Sequence, residues 1–312
     1  MNKIDFAVIF SVNGANPNGD PLNGNRPRTN YDGLGELSDV CIKRKIRNQL
    51  MEIKDENGKY KHNVFVQSDD NRLDDYRSLR ARAEGELKSK PEDQKAYREE
   101  ACKKWLDVRS FGQVFAYKGK KSEKPKKGKD TNEVPEEKTD DSGVSIGIRG
   151  PVSIHSAFSV TPVSVSSIQI TKSVSGEGDG TKKASDTMGM KHRVDHGLYV
   201  TYGAINPQLA SKTWFTDDDA KAIKNAIEHL FDNDSSSARP EGSMEIVAVF
   251  WWQHNCNNGQ YSSAVVHQSL DVKPKEGVKD LKKIEDYSIK LQILPGLTPE
   301  IFNPNHADIT NI

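Results

Sequence analysis

Basic side chains at helical spacing form the first candidate binding site in this sequence. In the stretch CIKRKIRN, Lys43, Arg44 and Arg47 fall on one arc of a helix, and Lys45 falls on the other flank. Cations gathered on one arc, and expected to lie uncompensated there, suit a phosphate backbone. A solvated basic helix face is the other interpretation, and this motif by itself leaves both open.

The loop before that helix, residues 16–30, is the second candidate site. Its sequence, NPNGDPLNGNRPRTN, is rich in residues that tolerate left-handed backbone and tight turns. Such a backbone leaves N–H groups exposed to anions, and Arg26 and Arg28 add positive charge. The spacing is neither that of a phosphate-binding P-loop nor that of a dinucleotide fingerprint. An Asn-rich surface loop is the alternative, and Asp20 could hold a metal ion or a proton.

The segment DVRSFGQVFA is the third candidate. Arg109 and Phe111 could pair a phosphate contact with a ring on which a base stacks. A buried strand with one salt-bridged arginine is the alternative interpretation.

A glycine-rich stretch between two strand-like segments is the fourth candidate. Lys172 lies on one arm, and Met188, Lys191 and His192 lie on the other. An apolar tip flanked by cations could insert between bases. A disordered loop is the alternative.

No catalytic or metal-binding constellation accompanies these motifs. The histidines are scattered, and no nucleophile or carboxylate pair has a telling spacing. The three cysteines are far apart and odd in number, which argues against a disulfide framework and favours a reducing compartment. We therefore predict no catalytic residue, no metal and no cofactor.

Net charge and hydropathy limit the partners and the cellular location that can be expected for this protein. Lys plus Arg and Asp plus Glu both number 45, so only the placement of charge can indicate a partner. The apolar run at the N-terminus is too short for a signal peptide, and no apolar run is long enough to span a bilayer. The expectation is a soluble cytoplasmic protein with no membrane partner.

Hydrophobic periodicity predicts the elements that must position these residues. An apolar stripe predicts a helix over 38–53 with Ser38 at its N-cap, and a capping-box pattern predicts a second helix from Thr216. Residues 69–106 read as helical, and the charged run 118–142 reads as a mobile surface loop. Strands are predicted over 4–12, 63–68, 163–174, 197–206, 244–252, 261–270 and 287–294. This order indicates an α+β fold, compatible with an interrupted β-α-β-β-α-β ferredoxin-like core.

The motifs, taken in order, resemble one family. NPNGDP, SDVCIKRKIRN, DVRSFGQV, RGPV, SIQITKS, TMGMKH and GLY follow one another between about Phe6 and Arg239. This series is similar to the backbone subunit of type I-C CRISPR interference (Cascade) complexes, in the RAMP superfamily. Beyond Pro240 the agreement is looser, and 118–142 looks like an insertion.

The resemblance implies a fold and a role. The fold would be one RAMP-type domain over 1–312: a modified RNA-recognition-motif palm, a helical finger-like insertion at 69–142 and a β-hairpin thumb at 166–197. Several copies would polymerise along one crRNA and present it for pairing with target DNA, beside other Cascade subunits. The subunit would not be an enzyme, because a recruited helicase-nuclease would do the cutting.

The resemblance also assigns roles to residues of this chain. The expected RNA-binding residues are Asn16, Asn18, Arg26, Arg28, Lys43, Arg44, Arg47, Arg109, Phe111, Lys172, Met188, Lys191 and His192. Met188 would be the wedge of the thumb. The alternative function is that of related type III backbone subunits, which cut target RNA with an Asp in a comparable loop, the place that Asp20 takes here.

Overall fold

A large antiparallel sheet lies at the centre of the fold in the computed structural model, which describes residues 1–117, 143–173 and 188–312. The strands are β1 Ile4–Ala15, β2 Gly19–Asp20, β3 Arg26–Pro27, β4 Leu34–Leu37, β5 Gly112–Tyr117, β6 Val144–Arg149, β7 Val152–Ile154, β8 Ala157–Pro162, β9 Val165–Thr171, β10 Met188–Ile205, β11 Met244–Gln253, β12 Leu270–Pro274, β13 Tyr287–Leu291, β14 Glu300–Phe302 and β15 Ile309–Asn311. The helices are α1 Asp39–Glu52, α2 Leu79–Glu86, α3 Gln94–Lys104, α4 Leu106–Phe111, α5 Pro207–Thr213, α6 Asp217–Glu228 and α7 Ser263–Gln268. The mixed α+β class is therefore confirmed. The predicted loop 118–142 lies outside the described residues.

The central strand β1 is buried on both of its faces. It pairs antiparallel with β10 on one side and with β11 on the other, in the order β14-β11-β1-β10-β8-β4. Alternate side chains enter two different cores, because successive residues of a strand point to opposite faces. Phe6 and Phe10 pack with α1 and α6, whereas Ala7 and Ile9 pack with α7 and the small sheet β12-β13-β15. Burial on both sides explains why β1 reads as an almost continuous apolar run.

Two helices cover the face of the sheet that carries Phe6. The predicted stripe Ile42, Ile46 and Leu50 is buried, which confirms α1. The predicted capping box of α6 is also present, since Thr216 Oγ accepts from the Asp219 N–H and the Asp219 carboxylate accepts from the Thr216 N–H. α1 begins next to Ser38, which Asn18 of the opening loop contacts, whereas α6 begins next to the Asp219 carboxylate that accepts from Arg109.

A third apolar cluster joins α2, α3, α4 and the hairpin β5–β6. Its members include Phe65, Tyr97, Trp105, Phe115 and Ile146. The helical prediction for 69–106 is confirmed only for α2 and α3, since residues 69–78 and 87–93 form no helix.

Two predicted strands are wrong, each for a local reason. Residues 63–68 form no strand, because the N–H groups of Phe65 and Val66 donate to the Asp107 carboxylate and not to a neighbouring strand. Residues 263–268 form α7, since the Ser262 hydroxyl accepts from the Val265 N–H and starts a helix. The strand begins only at Leu270.

A buried polar network ties β1 to the end of β11 and to α7. The Asp5 carboxylate lies 2.8 Å from His254 Nε2, 3.1 Å from Lys3 Nζ and 3.7 Å from His267 Nε2. The His254 Nδ1 accepts from the Gln260 N–H, so the Nε2–H donates to Asp5. His267 stacks on Tyr202 and lies edge-on to His155.

This network predicts that acid destabilises the protein. Burial lowers the pKa of His267 below its ordinary value, against the opposing effect of Asp5. A depressed histidine pKa means that the unfolded chain binds the proton first, so stability is complete above pH about 6.5 and falls as the pH drops through the folded pKa. Denaturant titrations over this range should show that decline, and His267→Gln should make it shallower. An unchanged decline in His267→Gln would assign the effect to other groups.

In the part of the chain that the structure describes, no helix is long and apolar enough to cross a membrane.

Candidate nucleic-acid interface

The two asparagines of the opening loop hold the loop itself in place. Asn16 is only 4% exposed, and its Nδ2 donates to the Asn25 carbonyl at 2.7 Å. The Asn18 Oδ1 accepts from both the N–H and the hydroxyl of Ser38, at 3.0 and 2.8 Å. Ser38 therefore occupies the predicted N-cap position without capping α1 through its side chain. Contact of these asparagines with RNA stays a prediction.

A groove of about 350 Å³ separates this loop from the first turns of α1. Three arginines line it, Arg28, Arg44 and Arg239, and we call it the arginine groove. Its wall also includes Ser38 and Val40, so the N-terminus of α1 adds its partial positive charge.

The cations of the arginine groove are only partly neutralised. Within the described residues, Arg44 makes no hydrogen bond or salt bridge, although Asp70 lies within electrostatic reach of both Arg44 and Arg239. Arg28 lies 3.5 Å from the Asp20 carboxylate. Asp234 is shared between Arg239, at 3.0 Å, and the buried Lys45, so one carboxylate serves two cations. Surplus positive charge in a polar groove is suited to phosphate groups.

The expectation that α1 carries an uncompensated basic arc is wrong for two of its three cations. Lys43 pairs with Asp39 at 2.9 Å, one turn away. The Arg47 Nε donates to Asp107 at 2.8 Å, and its guanidinium lies over the Phe111 ring at 5.1 Å. The partner of Arg47 is far away in sequence, so helical spacing alone could not reveal it. Of the arc, only Arg44 opens onto the groove.

Arg109 and Phe111 both lie in α4, and their side chains make contacts within the protein. The Arg109 guanidinium makes two hydrogen bonds to the Asp219 carboxylate, at 3.0 and 2.7 Å, and a third to the Cys102 carbonyl. This salt bridge ties α4 to the N-terminus of α6, as the structural alternative for Arg109 foresaw, although the segment is a helix followed by a strand. Phe111 packs against the core beneath Arg47. RNA contact of either residue stays a prediction.

Both arms of the predicted hairpin are present, and the two faces that they form differ. The glycine-rich segment between the arms, residues 174–187, lies outside the described residues. β9 pairs with β10 from Thr171↔Met188 to Val165↔Val194, which puts Met188, Met190 and His192 on one face. Ile168, Ile170 and Lys191 lie on the other face. Met188 is 63% exposed, and Met190 and both isoleucines are exposed as well. Lys172 is exposed just beyond β9, so the hairpin carries apolar side chains flanked by cations.

One chain of hydrogen bonds connects the hairpin to the opening loop. The Arg26 Nη2 donates to Ser167 Oγ at 2.8 Å, and Ser167 Oγ lies 2.8 Å from His192 Nδ1. Because Ser167 accepts from Arg26, its own proton is available to His192. The fold therefore joins Arg26 and His192, which the sequence placed in two separate motifs.

Ser167 and Arg239 are the residues that sequence reasoning missed. Ser167 looked like an ordinary polar position in an alternating strand, and its place opposite His192 was a weak signal. Arg239 follows a serine run after α6, and nothing in its local sequence points to α1. The backbone bond from Asn16 N–H to the Ala238 carbonyl, at 2.9 Å, brings this segment to the opening loop.

Asp20 shapes the tip of the short hairpin β2–β3. Its Oδ1 accepts from the Leu22 N–H at 3.2 Å, and its nearest cation is Arg28. Across the described residues, no group of three or more His, Cys, Asp or Glu side chains is placed to hold a metal ion.

Comparisons with known proteins give the family. The model of the family described as CRISPR-associated protein Cas7 matches residues 2–292. A CRISPR-associated protein Cas7 from Haloferax volcanii is 22% identical over 241 residues, which cover 76% of this chain and 66% of that protein. This chain thus spans slightly less than two thirds of that relative's length.

Two solved structures are also similar to this chain. A chain of a CRISPR RNA-guided surveillance complex in a pre-nicking state has a TM-score of 0.44 and 16% identity, covering 80% of this chain and 76% of its own. A chain of another CRISPR RNA-guided surveillance complex has a TM-score of 0.44 and 14% identity, covering 95% and 90%. Because the family model spans most of the sequence, the chain belongs to the CRISPR-associated Cas7 family.

Proposed function

We propose that this chain is a non-catalytic crRNA-binding backbone subunit of a cytoplasmic type I-C Cascade complex. Several copies polymerise along one guide RNA and present it for pairing with target DNA. Other Cascade subunits complete the complex, and a recruited helicase-nuclease cuts the target. The arginine groove, lying beside the Arg26–Ser167–His192 connection, is the observation that carries this proposal.

The chemistry of the groove favours the phosphates of a nucleic acid over its bases. Arginines and helix N-terminal N–H groups bind phosphate oxygens without reading sequence, as a subunit that must accept any guide requires. Exposed Met188 and Met190 suit a wedge that unstacks a base. Lys191 and His192 flank that wedge and add cation and hydrogen-bond donors.

The element order supports the proposed architecture. β1, α1, β8, β10, α6 and β11 follow the β-α-β-β-α-β sequence, and all pairings among these strands are antiparallel. We assign these elements to the RNA-recognition-motif-like palm. The finger-like insertion is then 69–142 and the thumb is 166–197.

Size-exclusion chromatography of the purified chain, with and without nuclease, tests the proposal. We expect large assemblies that contain intact RNA and collapse after nuclease treatment. Arg44→Glu should reduce RNA recovery strongly, because it reverses the charge of the groove arginine that makes no salt bridge among the described residues. Arg80→Glu, an equal charge change at an exposed site on α2, is the matched control and should assemble normally.

The same preparation tests the non-catalytic part of the proposal. Labelled single-stranded RNA is incubated with the protein and a divalent metal ion, and the fragments are resolved on a gel. Intact RNA is expected. Specific cleavage that is abolished by Asp20→Ala would contradict the non-catalytic proposal and would show ribonuclease activity instead.

A further inference from the structure

Five Asn-Gly dipeptides occur in the sequence, three of them within or beside the opening loop. They are Asn13-Gly14, Asn18-Gly19, Asn23-Gly24, Asn57-Gly58 and Asn258-Gly259. An asparagine followed by glycine is prone to spontaneous loss of its side-chain amide, because the missing Cβ lets the glycine nitrogen approach the asparagine side chain. Whether the reaction proceeds depends on how freely that side chain moves and on the space around the glycine.

Hydrogen bonds restrain three of the five asparagines. Asn13 Oδ1 lies 2.6 Å from His196 Nδ1, Asn18 Oδ1 accepts twice from Ser38, and Asn258 Oδ1 accepts from Gln208 at 2.9 Å. In the described part of the chain, the side chains of Asn23 and Asn57 make no such bond. Both of these residues are exposed.

The space around each glycine ranks the five Asn-Gly sites independently of these hydrogen bonds. A Cβ atom added at Gly19 would lie 2.0 Å from the Asn25 side chain, and one added at Gly259 would lie 2.6 Å from the Lys3 side chain. Nothing lies within 4 Å of the corresponding position at Gly24 or Gly58. Gly14 is also open, but its asparagine is held by His196 and lies within β1.

We infer that Asn23 is a deamidation site at the edge of the proposed RNA interface. The Gly24 nitrogen loses its proton and bonds to Asn23 Cγ, the Cγ–Nδ2 bond breaks, and ammonia leaves. Water then opens the resulting succinimide to aspartate or isoaspartate. The net change replaces NH2 by OH, and at neutral pH it adds one negative charge.

That charge arises at the tip of the β2–β3 hairpin. The register pairs Asp20 with Arg26, so residues 21–25 form the turn and Asn23 lies three residues from Arg26. A carboxylate there opposes the attraction of Arg26 and Arg28 for phosphate. It lies close enough to these arginines that physiological salt does not fully screen its charge. Deamidation at Asn23 thus lowers RNA affinity as the protein ages, a consequence that rests on the proposed function.

Peptide mapping by mass spectrometry tests the modification without reference to RNA. The intact chain is incubated in mildly alkaline buffer and digested at intervals. Deamidated peptides are expected at Asn23 and Asn57 well before Asn13, Asn18 or Asn258. An unmodified Asn23, or equally fast change at the three restrained asparagines, would overturn the assignment.

Anisotropy titrations with labelled single-stranded RNA test the consequence. Asn23→Asp is expected to bind several-fold more weakly than the unmodified chain, whereas Asn57→Asp, with the same charge change in another loop, should bind normally. Asn23→Gln should retain affinity and resist modification. Equal binding by both aspartate variants would refute the effect on RNA. Absence of binding by the unmodified chain would refute the proposed function and the consequence together, while the peptide map still decides the modification.

Discussion

Replacing Asp107 by alanine is expected to lower the free energy of unfolding by about 3–5 kcal/mol. Asp107 is fully buried and accepts three hydrogen bonds: from Arg47 Nε at 2.8 Å, from the Phe65 N–H at 2.7 Å and from the Val66 N–H at 3.1 Å. Its removal leaves the mostly buried Arg47 charge without its partner and leaves two backbone donors unsatisfied. Few single changes in this fold combine both costs.

Denaturant titrations of the Asp107→Ala variant measure this loss. Glu84→Ala is the control, because it breaks the exposed Arg80–Glu84 pair one turn apart on α2 and should cost about 0.5 kcal/mol or less. Asp107→Asn should fall between the two, since its amide oxygen can still accept one of the backbone donors. A loss of only about 1 kcal/mol in Asp107→Ala would show that the carboxylate contributes little to holding Arg47 and residues 65–66 in place.

The second large effect is expected on RNA affinity and not on stability. Replacing Arg28, Arg44 and Arg239 together by alanine should make the salt dependence of binding shallower by about 2 in the log–log slope, at about 0.7 per lost phosphate contact. At physiological salt the same loss of counterion release weakens binding by on the order of tens of fold. Asp234 keeps Lys45 as its partner in this variant, so the fold should remain intact.

Anisotropy titrations with single-stranded RNA across a salt series check this result. The matched control replaces Arg80, Lys221 and Lys273 by alanine, which removes the same charge from well-exposed sites. The control should keep both its affinity and its slope. If the two triple variants lost affinity equally, binding would follow overall charge and the arginine groove would not be the RNA site.

Sequence reasoning succeeded where neighbours along the chain decide the outcome. The stripe of α1, the capping box of α6 and the alternating arms of the β9–β10 hairpin depend on spacings of a few residues, and all three are present. It failed for residues 261–270, where it overlooked the local N-cap that Ser262 provides, and for residues 63–68, where a distant side chain supplied the backbone partners. At 63–68 that side chain is Asp107, which lies about forty residues further along the chain.

The candidate site shows the same difference between local sequence and distant contacts. The sequence by itself determined that basic residues cluster in the opening loop, on α1 and on a hairpin, and its ordered motifs indicated the family. Only the tertiary structure decided which cations remain open: Arg47 and Arg109 are engaged by Asp107 and Asp219, whereas Arg44 meets Arg28 and Arg239. The physical reason is that charge compensation depends on distance in space, and the carboxylates that neutralise these arginines come from distant parts of the chain.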